Sequence, residues 1–171
     1  AIEQTIISEL HQPMEVLFNE FNPEPLGSAS IGQVHRARRH NGDEVAVKVQ
    51  RPGIDHIVEV DLEIMLHLAT LAERHVEELS FHRPVRIVEE FARSIEKEMD
   101  YTIEASSMER VSGQFLGDPS VYVPKVYRDT STQRVLTIEY IDGIKVSNID
   151  RLCKDGYDCP LITERGADVL L

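Results

Sequence analysis

The chain has 171 residues, 42% of them apolar and 28% charged, the composition of a folded domain with its own core. Eighteen Lys and Arg against 30 Asp and Glu leave a formal charge of −12, and Trp is absent, which excludes a general phosphate-backbone binder and a base-stacking platform. No apolar run reaches the ~18 residues that a bilayer span needs, and Cys153 and Cys159 read as two reduced thiols rather than a disulfide framework.

The chain opens at Ala1 without Met and stops at Leu171 inside an apolar-periodic stretch, so it is expected to be a piece of a longer protein. Ile2, Ile6 and Leu10, then Val16, Leu17 and Phe21, recur at helical spacing and predict two short helices over 2–21, split at Pro13. Residues 22–25 read as a linker, because Pro23 and Pro25 oppose both helix and central strand. A strand over 34–38, an Asn41-Gly42 turn and a strand over 44–50 predict a hairpin. Val45, Val47 and Val49 share one face of the second strand, and Ala46 and Lys48 share the other. A long helix is predicted over 54–78, its stripe of Ile57, Val60, Ile64, Leu68 and Leu71 expected in the core or an interface. Residues 84–116 read as helical again, started by Pro84, with Val88, Phe91 and Ile95 on the apolar face. Two further strands over 121–126 and 134–141 flank a polar turn at 128–132, and 147–155 and 160–171 close the chain as helices. Arg36, Arg38 and Arg39 read as an exposed strand edge, or alternatively as a patch for lipid or phosphate.

Three segments carry chemistry. The first is the loop Gly27-Ser28-Ala29-Ser30-Ile31-Gly32-Gln33-Val34, spaced as G-x-A-x-x-G-x-V. A phosphate loop needs backbone N–H groups brought close to phosphate oxygens, which small residues permit. By itself the loop equally suits a Gly/Ser turn before a strand. The second is Val45-Ala46-Val47-Lys48, of the V-A-I-K type, in which a strand lysine meets nucleotide phosphates. A lone strand lysine is ordinarily solvated, but the offset from Gly32 to Lys48 suits a hairpin joining the two signals. The third is Glu98-Met99-Asp100-Tyr101 followed by Glu104-Ala105. A kinase pairs its strand lysine with a helical glutamate, yet here a long helix intervenes before Glu104. Glu98 and Asp100 would point to nearly opposite sides of one regular helix. Either a helix boundary falls near Met99 or the two have different partners, and Asp100 suits the cap of the segment carrying Glu104. Ala29 replaces a middle glycine, and its Cβ is expected to oppose positive φ and hold phosphates further away.

These motifs, with Val135 to Gly143, resemble the UbiB family of atypical kinase-like ATPases (the AarF/ABC1 type), and the resemblance runs from Pro23 to Gly143. It implies an α+β fold, a kinase-like N-terminal lobe with an antiparallel sheet of about five strands and inserted helices. The expected organisation is a helical extension over 1–22, the lobe over 23–143 with a helical insert over 53–97, and the start of a second lobe over 144–171. Lys48 would be the ATP lysine, Glu104 its helix partner, and Glu98 and Asp100 the family's ExD pair, which would narrow the site toward a small or lipid-like ligand. Gly27, Ser28, Ala29, Ser30, Ile31, Gly32 and Val34 would form the phosphate loop and Ala46 would lie beside it. Ile138 would be the gatekeeper, with Glu139 to Ile141 the hinge whose backbone reads adenine. The cofactors implied are ATP and Mg2+, the metal held by segments beyond Leu171, where the catalytic Asp/Asn set and D-F-G are expected. The family's upstream K-x-G-Q motif does not occur in this sequence, and the fragment alone is expected to be inactive.

The function so implied is an ATP-binding atypical kinase or ATPase supporting isoprenoid-quinone or related lipid metabolism. Its partners would be isoprenoid lipid or quinone-biosynthesis proteins, its place the cytoplasm with peripheral contact to the inner membrane, and nucleic acid is not among its ligands. Two other classes stay open: a kinase-like interaction module without chemistry, and an ordinary protein kinase, which the distance from Lys48 to Glu104 disfavours. A dinucleotide oxidoreductase fails for want of a glycine triplet opening a helix after a strand.

Overall fold

A computed structural model of the chain describes residues 1–75 and 82–170. The N-terminal segment forms α1 (Ile2–Leu10) and α2 (Met14–Leu17), divided at Pro13, which stands extended as the N-cap of α2. Four antiparallel strands follow in spatial order: β1 (Glu20–Ser28), β2 (Gly32–Arg38), β3 (Glu44–Gln50) and, after the helices, β4 (Val135–Glu139). The helices between β3 and β4 are α3 (Ile54–His75), α4 (Pro84–Glu98) and α5 (Tyr101–Gln114); α6 (Ile149–Lys154) and α7 (Cys159–Leu170) close the chain.

The predicted hairpin is present, with Val34 opposite Lys48 and Arg36 opposite Ala46. Strand alternation gives the sheet two different faces. Val45, Val47, Val49 and Val135 pack with Ile6, Leu17 and Phe18, so α1 and α2 cover one face. Leu136 packs with Tyr101 and Ala105 of α5 on the other, joined by Ile31 and Ile138. Lys48 is paired with Leu136 and Ala46 with Ile138, so the site residues of the sheet lie on the α5 side.

Two elements differ from their predictions, and a third takes one of its two expected places. Residues 22–25 are not a linker; they lie in β1. Both prolines are tolerated because β1 is the edge strand, and its register with β2 shifts on either side of Pro25. The sheet has four strands where about five were expected. The segment 121–126 contributes only a single bridge, Val126 to Ile138, because Asp118 and Ser120 turn the chain through side-chain hydrogen bonds just before it. Of the two places expected for the α3 stripe, core or interface, the core is excluded: Ile57, Ile64 and Leu68 are each more than half exposed. Helix α3 packs mainly on α4, through a neighbouring row that includes Leu62, and the predicted stripe falls outside that contact. Residues 76–78, predicted as the end of this helix, lie outside the described residues.

The long helix predicted over 84–116 is broken at Met99 and Asp100. Gln50 of β3, buried, donates to the Met99 carbonyl, and the Tyr101 N–H donates to Gln133 O at 3.0 Å. The junction is thereby tied to both β3 and the approach to β4.

Among the basic residues, Arg36 and Arg38 both pair with Glu44, at 2.8 and 2.6 Å, Arg36 also stacks on the Tyr140 ring, and Arg39 pairs with Asp129. These three arginines lie on and just after β2, an inner strand rather than the expected strand edge, and their charges are paired in an ion-pair network. No helix among the described residues is long and apolar enough to cross a membrane.

Candidate nucleotide site

Lys48 projects from β3 toward α5, and its Nζ lies 2.6 Å from Glu104 Oε2. The sequence offers Glu104 on a helix, and the break at Met99 re-aims that helix across the sheet so that a glutamate distant in sequence reaches the lysine. Lys48 also sits over the Tyr101 ring, with Nζ 4.6 Å from its centroid. The pair borders a cleft of about 390 Å³ lined by Lys48, Lys97, Glu98, Asp100, Ile103, Glu104 and Ser107.

Glu98 and Asp100 have different jobs in this cleft. Glu98 is the last residue of α4, exposed at its mouth. Asp100 is the N-cap of α5: its Oδ1 accepts from the Thr102 N–H at 2.9 Å and the Thr102 hydroxyl at 2.6 Å, and its Oδ2 accepts from Gln133 at 3.3 Å. These bonds, that of the Thr102 hydroxyl first, hold the Asp100 carboxyl below the ordinary aspartate range. The helix boundary therefore resolves the geometric conflict of two acidic residues two positions apart, and the cap positions the turn that carries Glu104.

The loop between β1 and β2 lies against the end of β3, since Gly32 pairs with Gln50. Its shape is fixed from within and from outside. The Ala29 N–H donates to Gly32 O at 2.8 Å, the Arg51 N–H donates to Ile31 O at 2.9 Å, and the Arg51 guanidinium donates twice to Ala29 O, at 3.2 and 3.1 Å. Among the described residues the N–H groups of Ser30 and Ile31 have no protein acceptor, so two donors at the loop tip are free for an anion. Gly27 and Ser28 end β1, and Val34 stands opposite Lys48. Ala29 does not adopt positive φ, in keeping with its Cβ: among the described residues only His11 and Arg83 are non-glycines with positive φ. The constrained position is Gly32, where an added Cβ would meet the Tyr101 hydroxyl and stand 2.9 Å from Val49 O.

Tyr101 is the residue that sequence reasoning passed over. It is 1% exposed, and its hydroxyl finds no hydrogen-bond partner among the described residues. Burial, with the charges of Glu104 and Glu98, pushes the phenol up to about 12. One ring therefore touches the loop glycine, underlies the lysine and begins the glutamate's helix. Its place beside Asp100 in the quoted motif was the available signal, but no spacing rule reveals that its hydroxyl meets Gly32.

At the far end of the sheet Ile138 faces Ala46. The Glu139 N–H donates to Lys125 O at 2.8 Å and the Tyr140 N–H to Glu44 O at 3.0 Å, while the Ile141 N–H has no acceptor among the described residues. Within 139–141, Ile141 thus supplies the free backbone donor. The Glu139 carboxylate is turned away from this edge, accepting from the Tyr122 hydroxyl at 2.8 and 2.6 Å. Free donors at the loop tip, a paired lysine and a free donor beyond β4 fit a nucleotide's phosphates and base. Among the described residues no three His, Cys, Asp or Glu gather as a metal cage.

The whole chain, residues 1–171, matches the family model of the ABC1 atypical kinase-like domain. It belongs to that family. This ABC1-family chain is 39% identical over 158 residues to "Probable protein kinase UbiB" of Aliivibrio salmonicida, covering 92% of the chain and 29% of that protein. It is 40% identical over 168 residues to "Protein ACTIVITY OF BC1 COMPLEX KINASE 7, chloroplastic" of Arabidopsis thaliana, covering 97% of the chain and 24% of that protein. Among solved structures, Rv3197 of Mycobacterium tuberculosis, determined as a complex with erythromycin, matches with a TM-score of 0.74 and 31% identity over 88% of this chain and 37% of that one. The ABC1-family chain thus spans less than a third of the length of these curated relatives, and its fold is that of a kinase-like N-terminal lobe.

Proposed function

We propose that this chain is the nucleotide-holding lobe of an atypical kinase or ATPase, and that the full-length protein serves isoprenoid-quinone or related lipid metabolism. The observation that carries the reading is the 2.6 Å pair between Lys48 and Glu104, set beside a small-residue loop with two free N–H groups. Bound ATP with Mg2+ supplies the phosphoryl group and the metal's charge; the chain's own residues hold and orient. Glu104 restrains the Lys48 ammonium in the cleft, where it meets phosphate oxygens. The N–H groups of Ser30 and Ile31 donate to the same phosphates. Ala46 and Ile138 give an apolar wall for the base, and the Ile141 N–H donates to its edge. Glu98, with no capping duty, is the ExD carboxylate available to a ligand, and Lys97 lines the same cleft. Magnesium is assigned to the second lobe. Contact with isoprenoid lipid or quinone-biosynthesis proteins, and peripheral contact with the inner membrane, belong to the full-length protein.

The test is titration of a fluorescent ATP analogue against the full-length protein, its Lys48→Ala variant and its Glu104→Gln variant. Both variants are expected to lose most of the affinity while keeping the wild-type circular dichroism spectrum. Equal affinity in all three would overturn the assignment. Glu98→Gln is expected to leave nucleotide affinity intact and change the ATPase response to added isoprenoid lipid; an unchanged response would return Glu98 to an ordinary solvated residue.

A further inference from the structure

Outside the nucleotide cleft, the two cysteines of the chain are brought together. Cys153 is in the last turn of α6 and Cys159 is the first residue of α7. A turn closed by Tyr157 N–H to Leu152 O at 3.0 Å and Gly156 N–H to Cys153 O at 3.2 Å folds the chain back on itself. Gly156 takes φ +81 there, and Leu152 anchors α6 by its burial. Asp158 caps α7, its Oδ1 accepting from the Leu161 N–H at 3.0 Å, which fixes Cys159 at the helix start. The two sulfurs end 3.5 Å apart in hydrogen-bond contact, with Cys153 exposed and Cys159 half-buried.

We propose that Cys153 and Cys159 form a dithiol modification site that takes a small-molecule disulfide, such as oxidised glutathione, and is converted to an intramolecular disulfide across the α6–α7 turn. The sulfurs need to close only from 3.5 Å to the bonded distance of about 2.05 Å, a movement that side-chain rotation at the end of a six-residue helix supplies. The hydrogen bond to Cys153, with partial burial and the Asp158 charge, pushes the Cys159 thiol up, so Cys153, the exposed partner, opens the exchange. Its thiolate attacks the oxidised glutathione, one glutathione thiolate leaves, and a mixed disulfide remains. Cys159 then attacks the Cys153 sulfur, forming the Cys153–Cys159 bond and expelling the second glutathione thiolate. Two electrons pass from the protein thiols to glutathione, and the two thiol protons end on the departing glutathiones. The bond would tie the start of α7 to the end of α6, in the segment that follows the 139–141 edge. The site needs no bound nucleotide and is independent of the function proposed above.

The experiment equilibrates the full-length protein and its Cys153→Ser and Cys159→Ser variants with a reduced/oxidised glutathione buffer, followed by acid quench and non-reducing peptide mass spectrometry. In the wild type a cross-linked peptide carrying both cysteines, lighter by two hydrogens, is expected to dominate. Mixed disulfide at Cys153 is expected to be about tenfold higher in Cys159→Ser than in the wild type, because the resolving thiol, present at high effective concentration, has been removed. Mixed disulfides accumulating equally in wild type and single variants would overturn the proposal, as would a wild type that stays reduced in a buffer that oxidises an unfolded peptide spanning 150–162.

Discussion

Replacing Gly32 with alanine tests the contact that joins the loop to the α5 helix. Two effects oppose each other. Glycine to alanine at a position without positive φ stabilises by about 0.4–1 kcal/mol through the unfolded chain, and among the described glycines Gly32 is not one with positive φ. Against this, the new Cβ meets the Tyr101 hydroxyl and lies 2.9 Å from Val49 O. Neither neighbour yields easily, since Val49 O is strand backbone and Tyr101 is 1% exposed. Overpacking of this kind costs about 1–3 kcal/mol, so steric cost wins and Gly32→Ala is expected to destabilise by about 1–2 kcal/mol net. Tyr101→Phe removes a hydroxyl without a partner among the described residues, and is expected to be neutral or stabilising. In the double variant the hydroxyl clash is gone and the Val49 carbonyl remains, so the penalty is expected to fall without vanishing. Urea unfolding followed by circular dichroism reads all four corners of the cycle, with a coupling of about 0.5–1.5 kcal/mol expected. Additive single effects, or a harmless Gly32→Ala, would show that the tyrosine hydroxyl does not stand against the loop glycine.

Lys48→Ala is expected to change unfolding free energy by no more than about 1 kcal/mol, because the Lys48 and Glu104 side chains are 26% and 42% exposed and solvent screens them; a loss of several kcal/mol would mean that the pair serves the fold rather than a ligand. Asp100→Ala is expected to cost about 0.5–2 kcal/mol by uncapping α5. The Asp100 carboxyl is held below its ordinary value of 3.8, so its contribution is fully present above that value and is lost as pH falls through the lower folded-state value. Acid titration of wild type against Asp100→Ala should therefore show the difference in stability shrinking below pH 3.8, and a constant difference would argue against the cap. Ala29→Gly is expected to cost about 0.4–1 kcal/mol through the unfolded chain, and in the full-length protein to change nucleotide affinity and phosphate incorporation; identical values would make Ala29 an ordinary turn residue.

How much of this was legible before the structure depends on the range of the forces involved. The 44–50 strand, its two faces, the Asn41-Gly42 turn and the split at Pro13 all rest on local rules, and each stands in the fold. Residues 22–25 misled because a proline rule for central strands was applied to what became an edge strand, and edge position is decided by the whole sheet. The α3 stripe left two places open, core or interface, for a related reason. Periodicity finds an apolar face, but packing chooses which row is covered, and α4 covers the row beside the stripe.

The cleft shows the same division at finer grain. Lys48 and Glu104 could be named because each sits in a motif, and Asp100 could be named as a cap from local chemistry. Their meeting depends on Gln50, an unremarked strand residue whose buried amide donates to Met99 O and accepts from Arg134 at 3.3 Å. The local cap signal at Asp100 permits a break there and the Gln50 tie holds it, whereas an unbroken helix would keep Glu98 and Asp100 on opposing sides and carry Glu104 along the axis of α4. The break does two things at once: it turns Asp100 from a surface acid into a cap, and it brings Tyr101 under Lys48 and against Gly32. The glycine that matters in the loop is therefore the one facing a tyrosine on a distant helix, while Ala29 holds its position through its own N–H bond to Gly32 O and the grip of Arg51. Position 29 accepts its Cβ because its φ is not positive, and packing adds a second constraint at Gly32, which comes from the side of the cleft that carries the glutamate.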